Sequence, residues 1–448
     1  MTYMTKPFFD LVYSIVDIYP LVILLDIIGI ILILFKERFE PRTFVIWLMI
    51  IIVLPVWGFV IYLLLGCTIY SRKKFKRKWE EDSRILSPKP KDTVVGLETG
   101  NGLDYAVRGN TSKTYWNLGE YAEDAIRDIG SAKESVLMEA RYFPKNIGFE
   151  RILDALSAAA ERGVDVRVLT GARGFGRTKG SERITRAGGK FRTFHKLPYA
   201  VFSIKNRNRL LRGILVVDGR ISYTGLECVV RIEGTSAVRS AKRFAADWSF
   251  ATKEYYNPEL EPVPCGDEVV QITSGGPDAG GLNPPASEYM GIINQSKKEL
   301  FMTFQYLVPD EVMYNSIRLA VHSGADVRIL VPRRGKHWYQ GWNSLAAANP
   351  LMLEGAHVYF TDKRTFRNVI VSDGSIVSVG SAVFNSRSMR YDFTTNAVIF
   401  SERLAEQTKQ CFLDELSEAV ECHSEEYEKR SFGDRIKIVF SRMMMFFN

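Results

Sequence analysis

Cysteine and histidine are the side chains that most often act as nucleophiles, proton donors or metal ligands, and this chain has five of each. The cysteines form no CxxC pair, and no group of cysteine and histidine has the spacing of metal ligands. We therefore expect no zinc site, no disulfide framework and no cofactor. The cysteines are Cys67, Cys228, Cys265, Cys411 and Cys422, and the histidines are His195, His322, His337, His357 and His423.

Basic and aromatic side chains concentrate in two stretches with the chemistry to bind phosphate. The planar guanidinium group pairs with two oxygens at once, so an arginine cluster beside a pocket suits phosphate recognition. The alternative is a solvated basic surface that faces anionic lipid. The aromatic residues would line an acyl or headgroup entrance, or simply pack together. The basic residues are Arg207, Arg209 and Arg212 in the first stretch and Arg333, Arg334, Lys336 and Arg364 in the second, where Trp338, Tyr339 and Trp342 also lie.

Three segments of the chain recur further along it in the same order. They are AKESVLMEARYF (132–143) with SKKELFMTFQYL (296–307), AERGVDVRVL (160–169) with VHSGADVRIL (321–330), and GILVVDGRISYTG (213–225) with NVIVSDGSIVSVG (368–380). The offsets are 164, 161 and 155 residues. This pattern indicates a tandem duplication of one unit.

Each copy alternates helical stretches with short apolar strands, which predicts an α/β fold. Asp-Gly pairs at Asp218 and Asp373 predict the turns of two hairpins. The segment 257–285 is rich in proline and contains a GG pair, so we interpret it as an interlobe linker. The two lobes would then cover residues 101–256 and 286–424, and a pocket between them would draw equivalent residues from each copy.

Two apolar stretches precede the duplicated region. Residues 44–65 are 22 residues without a charge, and about 20 apolar residues span the hydrocarbon core as a helix. Residues 11–35 are also apolar but contain Asp17 and Asp26. These acids would serve a proton relay or helix pairing, or would lie near an interface of a tilted helix. We predict two transmembrane helices, at about 11–35 and 44–65, in an anchor of residues 1–70.

A basic run follows the second apolar stretch directly, within a juxtamembrane linker of residues 71–100. The positive-inside rule places this run and the lobes in the cytoplasm. The same run would attract anionic headgroups, at about 1 kcal/mol for each basic residue near the surface, or would act only as a stop-transfer flank. The run comprises Arg72, Lys73, Lys74, Lys76, Arg77 and Lys78.

The C-terminal segment 425–448 contains DRIKIVFSRMMMFF (434–447), in which basic residues alternate with large apolar ones. This composition is typical of an amphipathic helix at a membrane interface. A helix that docks on the second lobe would have a similar sequence.

Several segments of the chain can be compared with a known family. They are the anchor ERFEPRTFVIWLMIIIVLPVWGFVIYLLLG, RGILVVDGRISYTG, RIEG at 231–234, the DW pair at 247–248, SGGPD at 274–278 and VGSAVFNSRSM at 379–389. Together they resemble bacterial cardiolipin synthases of the phospholipase D superfamily. The resemblance implies a two-lobed α/β phospholipase D fold behind two transmembrane helices. It also implies a reaction that joins two phosphatidylglycerols into cardiolipin and releases glycerol without a metal.

The resemblance implies that each lobe supplies a His-x-Lys-x-x-x-x-Asp motif. One histidine attacks the phosphodiester to form a phosphohistidine, the other protonates the leaving alkoxide, and the lysines stabilise the phosphoryl oxygens. Here the histidine positions hold Leu211 and Phe366, the lysine positions hold Gly213 and Asn368, and only the aspartates Asp218 and Asp373 remain. Both motifs are therefore degenerate.

Neighbouring positions also depart from the family pattern. Cys228 and Val383 stand where the family usually has asparagine, Thr394 stands where it has an acid, and the loop between Gly225 and Arg231 is short. We expect the site to have lost its chemistry in several steps.

We expect a catalytically inactive member, located in a bacterial cytoplasmic membrane, that serves as a partner or regulator of an active synthase or as a binder of anionic phospholipids such as phosphatidylglycerol and cardiolipin. The alternative is an active phosphatidyltransferase that uses groups from elsewhere, with His195 or His337 as the nucleophile. A nuclease would need the same missing histidines. The net charge of +8 permits nucleic-acid binding, but the basic run after the apolar stretch is better explained by lipid, so we expect no nucleic acid.

Overall fold

The computed structural model describes residues 20, 23–31, 33–35, 41–54, 57–63, 69–87, 93–99, 103–141, 147–171, 179–194, 208–279, 283–335, 337–385 and 388–444. The described residues up to Lys74 and those from Phe75 onward form two compact units, and each is described by itself.

In the N-terminal unit, helices α1 (Pro41–Val53) and α2 (Trp57–Ile61) cover most of the second apolar stretch. The first helix ends next to Pro55, which lacks the amide hydrogen that a continuous helix uses. Residues 23–31 and 33–35 are helical as well, whereas most of residues 11–22, Asp17 included, lie outside the described residues. Among the helices that the structure describes, none is both long enough and apolar enough to cross a membrane. The two transmembrane helices stay a prediction.

Sixteen strands in the described part of the second unit form one continuous sheet. The first lobe contributes β1 (Thr93–Val94), β2 (Ala106–Tyr115), β3 (Ser135–Ala140), β4 (Asp165–Thr170), β5 (Lys190–Thr193), β6 (Ile214–Val217), β7 (Ile221–Gly225) and β8 (Val229–Gly234). The second lobe contributes β9 (Glu268–Gly275), β10 (Glu299–Thr303), β11 (Asp326–Pro332), β12 (His357–Thr361), β13 (Val369–Ser372), β14 (Ile376–Gly380), β15 (Thr394–Phe400) and β16 (Val420–Cys422).

The strand order confirms the predicted duplication. Outward from the centre, the first lobe runs β2-β8-β7-β6-β3-β4-β5 and the second runs β9-β15-β14-β13-β10-β11-β12, with β16 added at the edge. Strands β2 and β9 pair antiparallel and join the two halves of the sheet. Strands β3-β4-β5 and β10-β11-β12 are parallel in their lobes, and the hairpin next to each set is antiparallel.

Helices cover the faces of this sheet. They are α3 (Ile69–Leu86), α4 (Leu118–Ser131), α5 (Ile147–Glu161), α6 (Lys179–Arg186), α7 (Ala237–Thr252), α8 (Pro284–Gln295), α9 (Glu311–His322), α10 (Trp338–Leu353), α11 (Ser388–Tyr391), α12 (Glu402–Ser417), α13 (Ser424–Glu428) and α14 (Phe432–Met444). In α5 the buried residues Ile152, Leu156 and Ala159 recur at helical spacing and pack on the first lobe's strands. Each lobe thus has its own apolar core.

Both predicted Asp-Gly hairpins are present. Asp218 and Gly219 have φ angles of 50° and 65°, and Asp373 and Gly374 have φ angles of 50° and 62°. Positive φ at two successive turn residues is typical of the type I′ turn. The pairs Val217–Ile221 and Ser372–Ile376 leave three residues in each hairpin loop.

Two predicted linkers contain regular structure. The segment 257–285 includes β9, a central strand of the sheet, because its prolines lie before and after Glu268–Gly275 and leave that stretch free to pair. The segment 71–100 includes most of α3, whose residues Phe75, Ile85 and Leu86 are buried. The interlobe connection is therefore shorter than predicted, and α3 from Phe75 onward belongs to the folded core.

Candidate functional site

The positions that the resemblance assigns to the two motifs lie where the two lobes meet. Leu211, just before β6, donates its backbone N–H to the carbonyl of Phe393 in the second lobe, at 2.8 Å. Phe366, just before β13, donates its backbone N–H to the Oε2 of Glu227 in the first lobe, at 2.7 Å. Each motif thus contacts the opposite lobe, as expected for a duplicated protein with a shared site.

The backbone leaves no space for a side chain at the first lysine position. A Cβ atom on Gly213 would lie 2.1 Å from the carbonyl oxygen of Gly225, a distance that no real contact has. Gly225 has a φ of 134° and donates its N–H back to the Gly213 carbonyl at 3.2 Å. The short connection that follows, in which the Leu226 N–H bonds the Cys228 carbonyl, holds this strand end in place. A lysine at residue 213 would require the backbone to move.

The other three lost positions are packed as parts of the protein interior. Leu211 is 3% exposed and Asn368 is 1% exposed, and Phe366 is half-buried. The Asn368 amide lies 3.5 Å from the carbonyls of Phe366 and Gly380, and its Oδ1 has no hydrogen-bond partner among the described residues. None of these groups is a nucleophile or a proton donor of suitable strength.

The neighbouring substitutions are buried as well. Cys228, Val383 and Thr394 are each at most 3% exposed. Burial raises the pKa of the Cys228 thiol to about 12, so the thiol is protonated at neutral pH. Since the thiolate is the nucleophilic form, Cys228 does not replace a histidine.

An arginine lies between the two lost positions of each motif, and each binds a carboxylate. Arg212 is buried and pairs with Asp247 of α7, and its Nη2 donates to the Gly275 carbonyl at 3.0 Å. Arg367 donates from Nη1 to both carboxylate oxygens of Glu415 of α12, at 2.7 Å. These side chains are structural ties between sheet and helix.

A buried charge cluster adjoins Arg212. The Lys78 ammonium, 0% exposed, pairs with Asp82, with Asp247 at 2.8 Å and with Asp278 at 3.0 Å. Arg243 bonds Asp82 and Asp247. Burial and Arg243 act to lower the pKa of Lys78, but the three carboxylates outweigh both and raise it. Asp247 and Asp278 belong to the DW and SGGPD segments, so these segments hold α3 on the first lobe.

Glu139 of β3 is a buried acid that sequence reasoning missed. It is 1% exposed, and neither carboxylate oxygen has a hydrogen-bond partner among the described residues. Burial, followed by the charge of Asp247, raises its pKa well above the usual range against the opposing effect of Arg212. The sequence signal for this buried acid is the single carboxylate in a strand of mainly apolar residues.

Two predicted headgroup contacts are wrong. Lys78 and Arg212 are buried and neutralised by carboxylates, so they do not reach a lipid surface. In the rest of the basic run, Lys73, Lys76 and Arg77 are exposed and Lys74 is half-buried. The side chain of Arg72, together with Arg207, Lys336 and His195, lies outside the described residues.

The structure brings four arginines to one cavity of about 510 Å³, which we call the arginine cavity. It is lined by Arg333, Arg334, Arg364 and Arg430, with Trp338 and Trp342 of α10 beside them. The sequence predicted Arg333, Arg334 and Arg364, together with Trp338 and Trp342, near such a site. Arg430 was missed because it lies 66 residues after Arg364 in the chain. Tyr339 does not line the cavity, and its ring stacks on His337 at 5.4 Å between centroids.

The described histidines have contacts away from the degenerate motifs. His322 Nε2 lies 2.7 Å from Glu354, and His357 Nδ1 lies 2.7 Å from Glu421. His337 lines the arginine cavity, and His423 precedes α13. Within the described residues, no group of three or more histidine, cysteine or acidic side chains is arranged to hold a metal ion.

Comparisons with known proteins agree with this architecture. The sequence family described as "Cardiolipin synthase, PLD-like domain" matches residues 289–416. A cardiolipin synthase of Clostridium perfringens is 30% identical over 454 aligned positions, covering 91% of this chain and 94% of that protein. A cardiolipin synthase of Staphylococcus aureus is 28% identical and covers 92% of each chain. The phosphatidylserine synthase structure from Haemophilus influenzae has a TM-score of 0.55 at 12% identity, covers 82% of this chain and 97% of that chain, and shares the fold.

Proposed function

Since the chain belongs to the cardiolipin synthase family, a family of phospholipid biosynthesis, we propose that it is a catalytically inactive member that binds anionic phospholipid and acts as a partner or regulator of an active synthase. The observation that carries this proposal is at the first motif. Gly213 has no room for a lysine, since its Cβ would lie 2.1 Å from the Gly225 carbonyl oxygen.

The family's reaction needs two histidines and two lysines in register, and all four are replaced here. Without a nucleophile no phosphohistidine forms, and without the lysines the charge on the phosphoryl oxygens is not stabilised. In a hydrolase with a different chemistry, removal of the nucleophile costs roughly a millionfold in rate. We therefore expect an inactive protein and not a synthase with reduced activity.

The alternative is an active phosphatidyltransferase that uses a substitute nucleophile. The protonated Cys228 thiol does not support it. His337, at the arginine cavity, remains the described histidine that this alternative would use. A single histidine there would still lack the second histidine and both lysines.

Phosphatidylglycerol and cardiolipin are the ligands we propose, since both carry the phosphodiester that arginine recognises. For location we propose the bacterial cytoplasmic membrane, with two spans and with the lobes on the cytoplasmic side. The 22 uncharged residues 44–65 and the basic run after them support this topology.

Trapping of the covalent intermediate tests the loss of catalysis. Purified full-length protein is incubated with phosphatidylglycerol labelled in its phosphate, and an active relative such as the Staphylococcus aureus synthase serves as the positive control. We expect no acid-labile phosphoprotein above background. A labelled band would overturn the proposal, and its loss in His337→Ala would identify the nucleophile.

Cysteine labelling tests the topology. In a background without native cysteines, a membrane-impermeant thiol reagent applied to intact cells should label Thr43→Cys and should miss Ser71→Cys. Labelling of Ser71→Cys from outside would invert the orientation.

A further inference from the structure

The arginine cavity is lined by residues of the second lobe and of the C-terminal segment, and it lies at the ends of β11 and β12. Its apolar part includes Phe360 of β12, Leu345 of α10 and Cys422 of β16. Its volume of about 510 Å³ falls within the roughly 300–1,000 Å³ of small-ligand sites. It is therefore large enough for a glycerophosphate headgroup.

The charge of the cavity is strongly positive. Four arginines line it against one acid, Glu421, which already contacts His357 at 2.7 Å. Arg333 has a long ionic contact of 3.4 Å with Asp362, which is 85% exposed, and such exposed pairs are weak. The buried Nε of Arg430 has no hydrogen-bond partner among the described residues. These guanidinium groups retain donors for an anion.

Helix α14 beside the cavity presents apolar side chains to solvent. Its Ile438 and Ser441 are buried, and the helix packs on α10 through this side. The opposite side carries exposed apolar residues at helical spacing, which continue to the 58%-exposed Trp338 through a stacked contact with Phe440. These exposed residues are Phe432 at 79%, Ile436 at 53%, Val439 at 60% and Phe440 at 46%.

We propose that the arginine cavity binds the phosphodiester headgroup of an anionic phospholipid in a bilayer, while the exposed side of α14 and Trp338 insert into the same leaflet. This inference rests on the lipid-binding part of the proposed function and not on the loss of catalysis. Both interpretations of the C-terminal sequence then apply, because α14 docks on the lobe through one face and inserts into the membrane through the other.

The combination of charge and apolar surface identifies the source of the phosphate. A contiguous exposed apolar patch marks a protein or membrane contact. Basic residues beside exposed aromatic and aliphatic side chains match the interfacial region of an anionic membrane. A water-soluble phosphate ester would use the cavity but would leave the apolar side of α14 without a role.

Lipid binding to the full-length protein tests the cavity. Native mass spectrometry from nonionic detergent would compare phosphatidylglycerol, phosphatidylcholine and glycerol 3-phosphate. We expect phosphatidylglycerol to bind best, and the variant Arg333→Gln/Arg334→Gln/Arg364→Gln to bind it at least roughly tenfold more weakly. The matched control removes three exposed cations of the first lobe, in Arg108→Gln/Lys133→Gln/Arg220→Gln, and should bind as the unmodified protein does.

Hydrogen exchange tests the helix. Full-length protein is placed in phosphatidylcholine nanodiscs with and without phosphatidylglycerol. We expect amides of residues 432–444 to exchange more slowly when phosphatidylglycerol is present. The variant Ile436→Ser/Val439→Ser should lose this protection while its lobes exchange as before, because both side chains are exposed.

Three results would overturn the inference. The first is that the cavity variant and its matched control bind phosphatidylglycerol equally. The second is that the protein binds phosphatidylcholine as tightly as phosphatidylglycerol. The third is that it binds glycerol 3-phosphate as tightly as phosphatidylglycerol while the hydrogen exchange of α14 is unchanged. The loss of catalysis is measured separately, as phosphoprotein or cardiolipin formed. If the cavity does not bind lipid, the proposed loss of catalysis is therefore unaffected.

Discussion

Asp218 and Asp373 make the same contact in the two lobes. The Asp218 carboxylate accepts hydrogen bonds from the backbone N–H groups of residues 133–135, each at 2.9 Å. The Asp373 carboxylate accepts from residues 297–299, at 2.8–3.1 Å. Each aspartate thus joins its hairpin turn to the start of the neighbouring strand, β3 or β10. On the proposed loss of catalysis, this fold-stabilising contact accounts for the presence of both aspartates.

Replacement of these aspartates should therefore lower stability. We expect Asp373→Ala to reduce the free energy of unfolding by about 1–3 kcal/mol, because three backbone donors lose their acceptor. Loss of the side chain that favours positive φ adds to the effect. Denaturant unfolding of the full-length protein measures this change. Asp362→Ala, at an 85%-exposed acid, is the control and should have no effect. Equal stability of the two variants would contradict the account.

Restoration of the motif should fail at Gly213. We expect Gly213→Ala alone to destabilise the protein by about 1–3 kcal/mol, as overpacking does. Gly130→Ala is the matched control, since a Cβ there meets nothing within 4 Å, and it should be neutral or stabilising. The combined variant Leu211→His/Gly213→Lys/Phe366→His/Asn368→Lys should recover no cardiolipin synthesis. Normal folding with a working rate of synthesis would mean that the pocket had been preserved.

Removal of the buried lysine should be severe. Lys78→Met leaves Asp82, Asp247 and Asp278 without one of their cations, and loss of one partner from a buried charge group costs about 3–5 kcal/mol. Lys76→Met removes an exposed lysine from the same helix and should be close to neutral. The unfolding midpoints of the two variants distinguish the roles. If Lys78→Met were as stable as Lys76→Met, the cluster would not fix α3.

Stability should depend on pH through Glu288. Burial raises its pKa from 4.5 to about 7, although side-chain hydrogen bonds from Ser378, Thr273 and Asn396 oppose the shift. The folded protein then holds a proton that the unfolded chain releases, so stability falls as pH rises from about 4.5 to about 7. The contribution is at most about 3 kcal/mol. Glu288→Gln should flatten the profile measured between pH 5 and pH 8, and an unchanged slope would contradict the assignment.

The sequence predicted the features that repeat. The Asp-Gly turns and the two strand sets follow from local patterns, because hairpin turns and buried strands depend on residues close in the chain. Strand β9 was missed because prolines on both sides of it led us to interpret the whole segment as a linker. Lys78 was assigned to the membrane surface because it ends a basic run, although Phe75, Asp82 and Ile85 share its helix face at spacings of three, four and seven residues. The position of Arg430 in the cavity depends on tertiary packing, which no local sequence pattern reveals.

Cardiolipin formation tests the central claim most directly. Purified full-length protein is incubated with phosphatidylglycerol in mixed micelles, and cardiolipin and released glycerol are measured against a no-protein control and an active relative. The account predicts no cardiolipin above the no-protein control, because both motifs lack their histidines and lysines and Gly213 has no space for a side chain. Sustained formation of cardiolipin and glycerol by the purified protein alone would contradict it.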